Sequence, residues 1–215
     1  LSECNDKKFT VQDKATADKV LEELNKGEYV VSQIVNKQRS RKPFAPFTTS
    51  SMQQDAANKI GFTTKKTMMV AQQLYEGIEI KGHGTLGLVT YIRTDSVRIS
   101  DEAKSAAKEY IKETFGEKYI GNNFFSNKKK DIQDAHEAIR PSNITLDPEA
   151  IKSSLTKEQY QLYKLIWTRF LASQMSPALF DSMQVQIKNG VYLLKASGSK
   201  VVFDGYQKVY SSNIE

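Results

Sequence analysis

The sequence predicts an α+β multidomain chain, with a mainly helical domain inserted into a β-rich one. Three observations point there. Residues 1–44 combine one short helix with a β-branched strand. Residues 45–176 carry repeated helical periodicity with capping residues at the ends of each run. Residues 177–215 return to apolar–polar alternation broken by turn dipeptides. A domain joined to its neighbour by two linkers can swing as a unit.

The elements follow in order. In "TADKVLEEL", Val20, Leu21 and Leu24 fall on helical spacing, Thr16 is the expected N-cap and Gly27 ends the run. "EYVVSQIV" reads as a strand. "NKQRSRKPFAPF" then places Lys37, Arg39, Arg41 and Lys42 ahead of Pro43 and Pro46. It reads as a basic, proline-punctuated linker, either a solvated loop or a hinge that touches phosphate.

The helical domain opens with "SSMQQDAANKIG", capped by Ser50 and Ser51 and closed at Gly61. "TKKTMMVAQQLYEG" sets Met68, Met69, Ala71, Gln72 and Leu74 on helical spacing, and its methionines read as core. These two helices followed by strand-like "GLVTYIR" fit a winged-helix-like arrangement. "SDEAKSAAKEYIKETFG" has Ser100 as cap, acidic residues in its first turn, and Lys112 and Gly116 at its end, which suits the helix dipole. "LTKEQYQLYKLIWTRFLASQ" repeats apolar residues at Leu155, Tyr160, Tyr163, Ile166, Trp167 and Phe170 and predicts the longest, most buried helix. The tail, "MQVQIKNGVYLLKASGSKVVFDGYQKVY", predicts β-hairpins turning at Asn189-Gly190 and Ser197-Gly198.

Bulk composition excludes several classes. The chain has 215 residues, 39% hydrophobic and 26% charged, enough for a sizeable core. No apolar run approaches the roughly 20 residues that span a bilayer, so no membrane is expected. The N-terminus "LSECNDKKFT" has no apolar signal core, and the missing initiator Met suggests a fragment of a longer protein. Cys4 is the only cysteine, which forbids an intrachain disulfide and a cysteine zinc site and fits a reducing cytoplasm. The net charge of +6 mildly favours polyanionic partners.

The candidate chemistry centres on "GLVTYIRTDS". A lone tyrosine at a strand end is ordinarily a packing residue, but its neighbours change the weighting. In an extended segment Tyr91, Arg93 and Asp95 point to one side. A phenol with a pKa near 10 is a weak nucleophile. An adjacent guanidinium favours the phenolate and binds a phosphate oxygen in two-pronged fashion. Asp95 is placed to hold Arg93, and Thr94 and Ser96 offer hydroxyls to phosphate or to the next turn. In "QDAHEAIRPS", His136 reads either as a surface residue pairing with Asp134 or Glu137, or as a cation beside a phosphate. Arg140 would share its face if the segment is helical. His83, in "KGHGTLG", reads as a loop residue. Lys65 and Lys66 oppose the dipole at a helix start, which hints at an external anion, although a charge pair is usually a solvated face. No P-loop, HExxH, paired cysteines or DxD cluster occurs.

Three segments together resemble the bacterial type IA DNA topoisomerases, specifically DNA topoisomerase I: "PFTTSSMQQDAANKIGFTTKKTMMVAQQLYEG", "GLVTYIRTDSVRIS" and "DAHEAIRPS". The likeness covers residues 43–142 well and the β flanks more loosely. Topoisomerase III usually differs around the histidine, and reverse gyrase typically carries Cys where Ala138 stands. The resemblance implies that Tyr91 is the nucleophile that attacks a single-strand phosphodiester and ends as a 5′-phosphotyrosine. That ester conserves the bond energy, so religation needs no ATP. By the same likeness Arg93 stabilises the transferring phosphate, His136 supports binding and cleavage, and Asp95 influences the site's charge. The DNA-binding candidates are Arg93, Thr94, Asp95, Ser96, Lys65, Lys66 and Arg140.

The resemblance implies further that residues 45–176 form the gate domain that carries the tyrosine and lifts away. Residues 1–44 and 177–215 would be parts of the arch that lets it swing. The family's Mg²⁺ is held by a Toprim domain, which is expected outside this chain, as are the domain lining the single-strand groove and any zinc ribbon. The isolated chain is therefore expected to bind DNA weakly and to relax nothing alone. The partners implied are single-stranded and negatively supercoiled DNA and the missing domains. The protein is expected to be a monomer, cytoplasmic and nucleoid-associated. Two rivals remain. Tyrosine recombinases and relaxases need a late tyrosine or a histidine cluster, which do not match a Tyr91 ahead of His136 and two histidines in all. A non-catalytic winged-helix DNA-binding module does fit the helices.

Overall fold

A computed structural model describes residues 1–5, 7–125 and 136–210. The chain divides into two compact units, one built from Leu1–Arg41 with Leu179–Phe203, the other from Lys42–Ala178 with the described part of Asp204–Glu215.

The first unit is a five-stranded sheet with one helix. Strands β1 (Glu3–Cys4), β2 (Lys7–Lys8), β3 (Val30–Arg41), β6 (Ala178–Asn189) and β7 (Tyr192–Phe203) lie in the order β2-β1-β7-β6-β3. β6 and β7 form one long antiparallel hairpin in which Asn189 faces Tyr192, leaving Gly190 and Val191 as the turn. Gly190 has φ +57, which a two-residue hairpin turn requires and glycine adopts freely. The second expected turn, Ser197-Gly198, is absent: Ser197 pairs with Gln184 and Gly198 with Met183 inside the ladder. Helix α1 (Lys14–Lys26) buries Val20 and Leu24 against Tyr192, while Leu21 is exposed. Its cap is Asp13, not Thr16; the carboxylate accepts the Thr16 amide at 2.8 Å. The "basic linker" is also corrected. Strand β3 continues through Lys37 and Arg39 to Arg41, and the chain turns to loop only near Pro43.

The second unit is helical. Helix α2 (Thr49–Ile60) is capped by Thr48, whose hydroxyl accepts the Ser51 amide while the Ser51 hydroxyl accepts the Thr48 amide. Gly61 ends it at φ +67. After one further residue, Thr63 caps helix α3 (Thr64–Glu76). Its core face is Thr67, Val70, Ala71 and Leu74; Met69, expected inside, is exposed. A short hairpin follows, β4 (Ile78–Ile80) with β5 (Gly84–Leu86). The two helices are thus followed by a hairpin that ends at Leu86, ahead of the "GLVTYIR" stretch expected to supply the strand. Helix α4 (Asp101–Phe115) begins at the predicted Ser100 and ends at Gly116.

Helix α5 (Lys157–Gln174) is the centre of the core and packs against α2, α3 and α4. Leu162, Tyr163, Ile166, Phe170 and Leu171 are each 2% exposed or less. Burying a side chain of this size contributes about 1.5–3 kcal/mol. Its polar atoms are satisfied: Tyr163 donates to the Leu146 carbonyl and Trp167 Nε1 to that of Ile144. Beyond Phe203 the chain leaves the sheet, and Gly205–Lys208 form a 3-10 turn of the helical unit rather than a strand.

Candidate active site

The strand expected over 87–91 is a loop with one bridge, Val89 to Pro141, and a bend at Ile92 and Arg93. Its partner is a second short segment, residues 136–142, which is extended rather than helical. That segment is bonded to neighbours on several sides. Ile139 donates to the Phe47 carbonyl at 2.8 Å, Thr90 to that of Arg140 at 2.9 Å, and Ser142 to that of Leu88 at 2.9 Å. Ala138 donates to the Arg98 carbonyl at 2.8 Å. Backbone groups that cannot find a regular ladder are thus paired across three loops.

Two threonines lock the loop. The Thr90 hydroxyl donates to the Ala138 carbonyl at 2.8 Å and accepts the Arg140 amide at 3.0 Å. The Thr49 hydroxyl, in the first turn of α2, donates to the Ile92 carbonyl at 2.8 Å and accepts the Thr94 amide at 2.9 Å. Just before the tyrosine, Gly87 runs so close to the end of α3 that a Cβ there would stand 2.7 Å from the Tyr75 carbonyl oxygen. Leu88 donates to the Leu74 carbonyl at 2.7 Å. The loop is therefore fastened to α2, to α3 and to residues 136–142.

Within this frame Tyr91 is 42% exposed. Its ring lies between two others, Tyr75 at 5.7 Å and His136 at 5.6 Å between centroids. Separations of that order are attractive edge and tilted contacts, which hold the phenol's direction without covering it. Tyr91, Arg93 and Asp95 are exposed while Ile92, Thr94 and Ser96 are buried, so the expected alternation holds without a ladder. An exposed phenol with an imidazole against its ring is followed two residues on by an exposed guanidinium.

Other candidates lie differently. Among the described residues Asp95 makes no ion pair with Arg93; both side chains stand in solvent. Thr94 and Ser96 are 6% and 1% exposed, and their hydroxyls accept the amides of Ser96 and Arg98 at 3.0 and 3.1 Å. They shape the loop. Arg140 does not share a helix face with His136; its Nη2 meets Glu137 Oε2 at 2.6 Å and its Nη1 donates to the Pro141 carbonyl at 3.0 Å. Burial pushes the Glu137 carboxyl up, but hydrogen bonding and charge from Arg140, with help from Ser100, outweigh it and leave it below its ordinary value. Asp134 lies outside the described residues. Lys65 and Lys66 open α3, whereas Tyr75, beside Tyr91, lies near its other end, roughly 15 Å away along the axis. Lys66 pairs with Glu158 at 3.2 Å and lies over the Phe62 ring.

Sequence reading overlooked Tyr75, Thr49, Thr90 and the Glu137–Arg140 pair. Tyr75 sits at the exposed end of an amphipathic run, where aromatic residues carry no positional signal. Among the described residues no three His, Cys, Asp or Glu side chains come together as a metal site. The Mg²⁺ implied by the resemblance therefore has no fitting ligand set there. Among the described residues no helix is long and apolar enough to cross a membrane.

A family model described as DNA topoisomerase matches residues 2–215. The solved structure of full-length topoisomerase I from Thermotoga maritima is similar with a TM-score of 0.81 and 40% identity. The match takes in 99% of this chain and 34% of that one, so the chain spans about a third of that relative's length.

Proposed function

The chain belongs to the DNA topoisomerase family, and from that premise we propose that it supplies the nucleophile of a type IA enzyme. The observation that carries the proposal is the exposed Tyr91 phenol, held between Tyr75 and His136 and followed by the exposed Arg93.

In the proposed reaction Tyr91 Oη attacks the phosphorus of a single-strand phosphodiester. The Oη–P bond forms, the P–O3′ bond breaks, the phenol loses its proton and the departing 3′ oxygen gains one. The product is a 5′-phosphotyrosine and a free 3′-hydroxyl. In religation that hydroxyl attacks the same phosphorus and the phenol leaves, so the bond is restored without a nucleotide cofactor. Arg93 neutralises charge on the phosphoryl oxygens. His136 orients the phenol through its ring. The Mg²⁺ is attributed to a Toprim domain of the same protein, and no step here runs through it.

Since this chain matches about a third of its solved relative, relaxation of negatively supercoiled DNA is proposed of the whole protein, not of these residues alone. On this reading Lys42–Ala178 is the gate and the β unit part of an arch. A second reading, a DNA-binding module, draws support from α2, α3 and the β4–β5 hairpin, and it is compatible with the first. Tyr91→Phe in the whole protein separates them. Loss of single-strand cleavage with DNA binding retained supports the nucleophile; cleavage that persists refutes it.

A further inference from the structure

The basic stretch at 37–41 is a strand, and that gives it a direction. Lys37, Arg39 and Arg41 occupy alternate positions of β3, so all three project from one face, roughly 7 Å apart in sequence along the strand. All three are exposed, and among the described residues none is in an ion pair. Opposite them on the same face stand Ser182 and Gln184 of β6 and Ser197 and Ser199 of β7. Together these line a groove of about 350 Å³ with no carboxylate among the described residues on its walls. Asp181 belongs to the other face, where it accepts from Gln38 at 3.3 Å. Arg41 is braced over the Phe180 ring at 4.5 Å, and that ring is 8% exposed.

We propose that this face of the β unit binds the phosphate backbone of duplex DNA, separately from the Tyr91 loop. A row of unpaired cations among short hydrogen-bonding side chains recognises phosphates without reading bases. Single strands are held largely by stacking on exposed aromatic rings, and among the described residues the one ring in this groove, Phe180, lies beneath Arg41. The choice of DNA among polyanions rests on the topoisomerase reading. Charges on an edge strand also prevent edge-to-edge pairing, but either sign serves that purpose.

The test uses the full chain and fluorescence anisotropy with a short labelled duplex and a single strand of the same length, titrated over a range of salt. Lys37→Gln/Arg39→Gln/Arg41→Gln is compared with a charge-matched control, Lys19→Gln/Lys108→Gln/Lys112→Gln. Arg39→Glu is a milder second variant, and circular dichroism checks that each folds. The β3 triple variant is expected to weaken duplex binding about tenfold or more and to flatten the log–log salt slope by about 2 to 3. The control should do neither, and Arg39→Glu should weaken duplex binding while the chain stays soluble. Equal losses in the triple variant and the control would overturn the proposal, as would a larger loss for the single strand than for the duplex. Because no cleavage is read, failure here leaves the Tyr91 assignment untouched, and failure there leaves this one.

Discussion

Replacing Glu137 with alanine removes the partner of Arg140 while leaving the guanidinium in place. The two side chains are 19% and 14% exposed, and two nitrogens of Arg140 reach Glu137 Oε2, at 2.6 and 3.2 Å. Breaking a fully buried pair costs about 3–5 kcal/mol, chiefly by stranding a charge. Arg140 keeps its bond to the Pro141 carbonyl and some contact with water, so Glu137→Ala should cost about 2–3 kcal/mol. Urea denaturation at neutral pH measures it. The pH dependence supplies a second readout. The folded chain holds the Glu137 carboxyl below its ordinary value of 4.5, so the unfolded chain takes up the proton first. The stabilisation is present above that ordinary value and is lost as pH falls through the lowered one. Glu137→Gln should therefore be less stable than the parent at pH 7 and show a shallower loss of stability on acidification. A Glu137→Ala cost under about 0.5 kcal/mol, or an acid slope unchanged in Glu137→Gln, would refute the reasoning.

Two further outcomes follow from the packing. Gly87→Ala should destabilise by about 1–3 kcal/mol and lower strand cleavage, because its Cβ meets backbone at 2.7 Å and the adjustment is passed to a loop that ends at Tyr91; thermal melts and a single-strand cleavage assay read the two effects. Arg169→Met should cost about 3 kcal/mol or more by urea denaturation, since the residue is 8% exposed, its guanidinium donates to the Ala45 carbonyl at 2.7 Å and lies over the rings of Phe44 and Phe47, and Asp55 loses its ion pair with it.

The helices were legible because their signals are local. Ser100 to Gly116 and the apolar face of α5 are written within one element each. Cap identity was less so, since runs such as "TTSS" offer several competent hydroxyls and only the backbone geometry selects Thr48. The β unit misled where composition competes with pairing. Lys37, Arg39 and Arg41 look like a linker, yet an edge strand with solvent on its faces tolerates them. Ser197-Gly198 looks like a turn, yet β6 supplies partners on the far side of the hairpin. For the site, the alternation of Tyr91, Arg93 and Asp95 could be read from spacing alone. The path of 136–142 could not, because its bonding partners lie some 50 and 90 residues away, at Leu88–Thr90 and Phe47. His136 came to Tyr91 through those distant bonds, not through any helical period.

The central claim is that Tyr91 forms the covalent bond to DNA. Its most direct test is to trap the whole protein on a single-stranded oligonucleotide with Mg²⁺, digest both components, and weigh the peptides by mass spectrometry. The account predicts a nucleotide-bearing peptide whose fragmentation places the 5′-phosphate on Tyr91. An adduct on any other residue, including the neighbouring Tyr75, would contradict it.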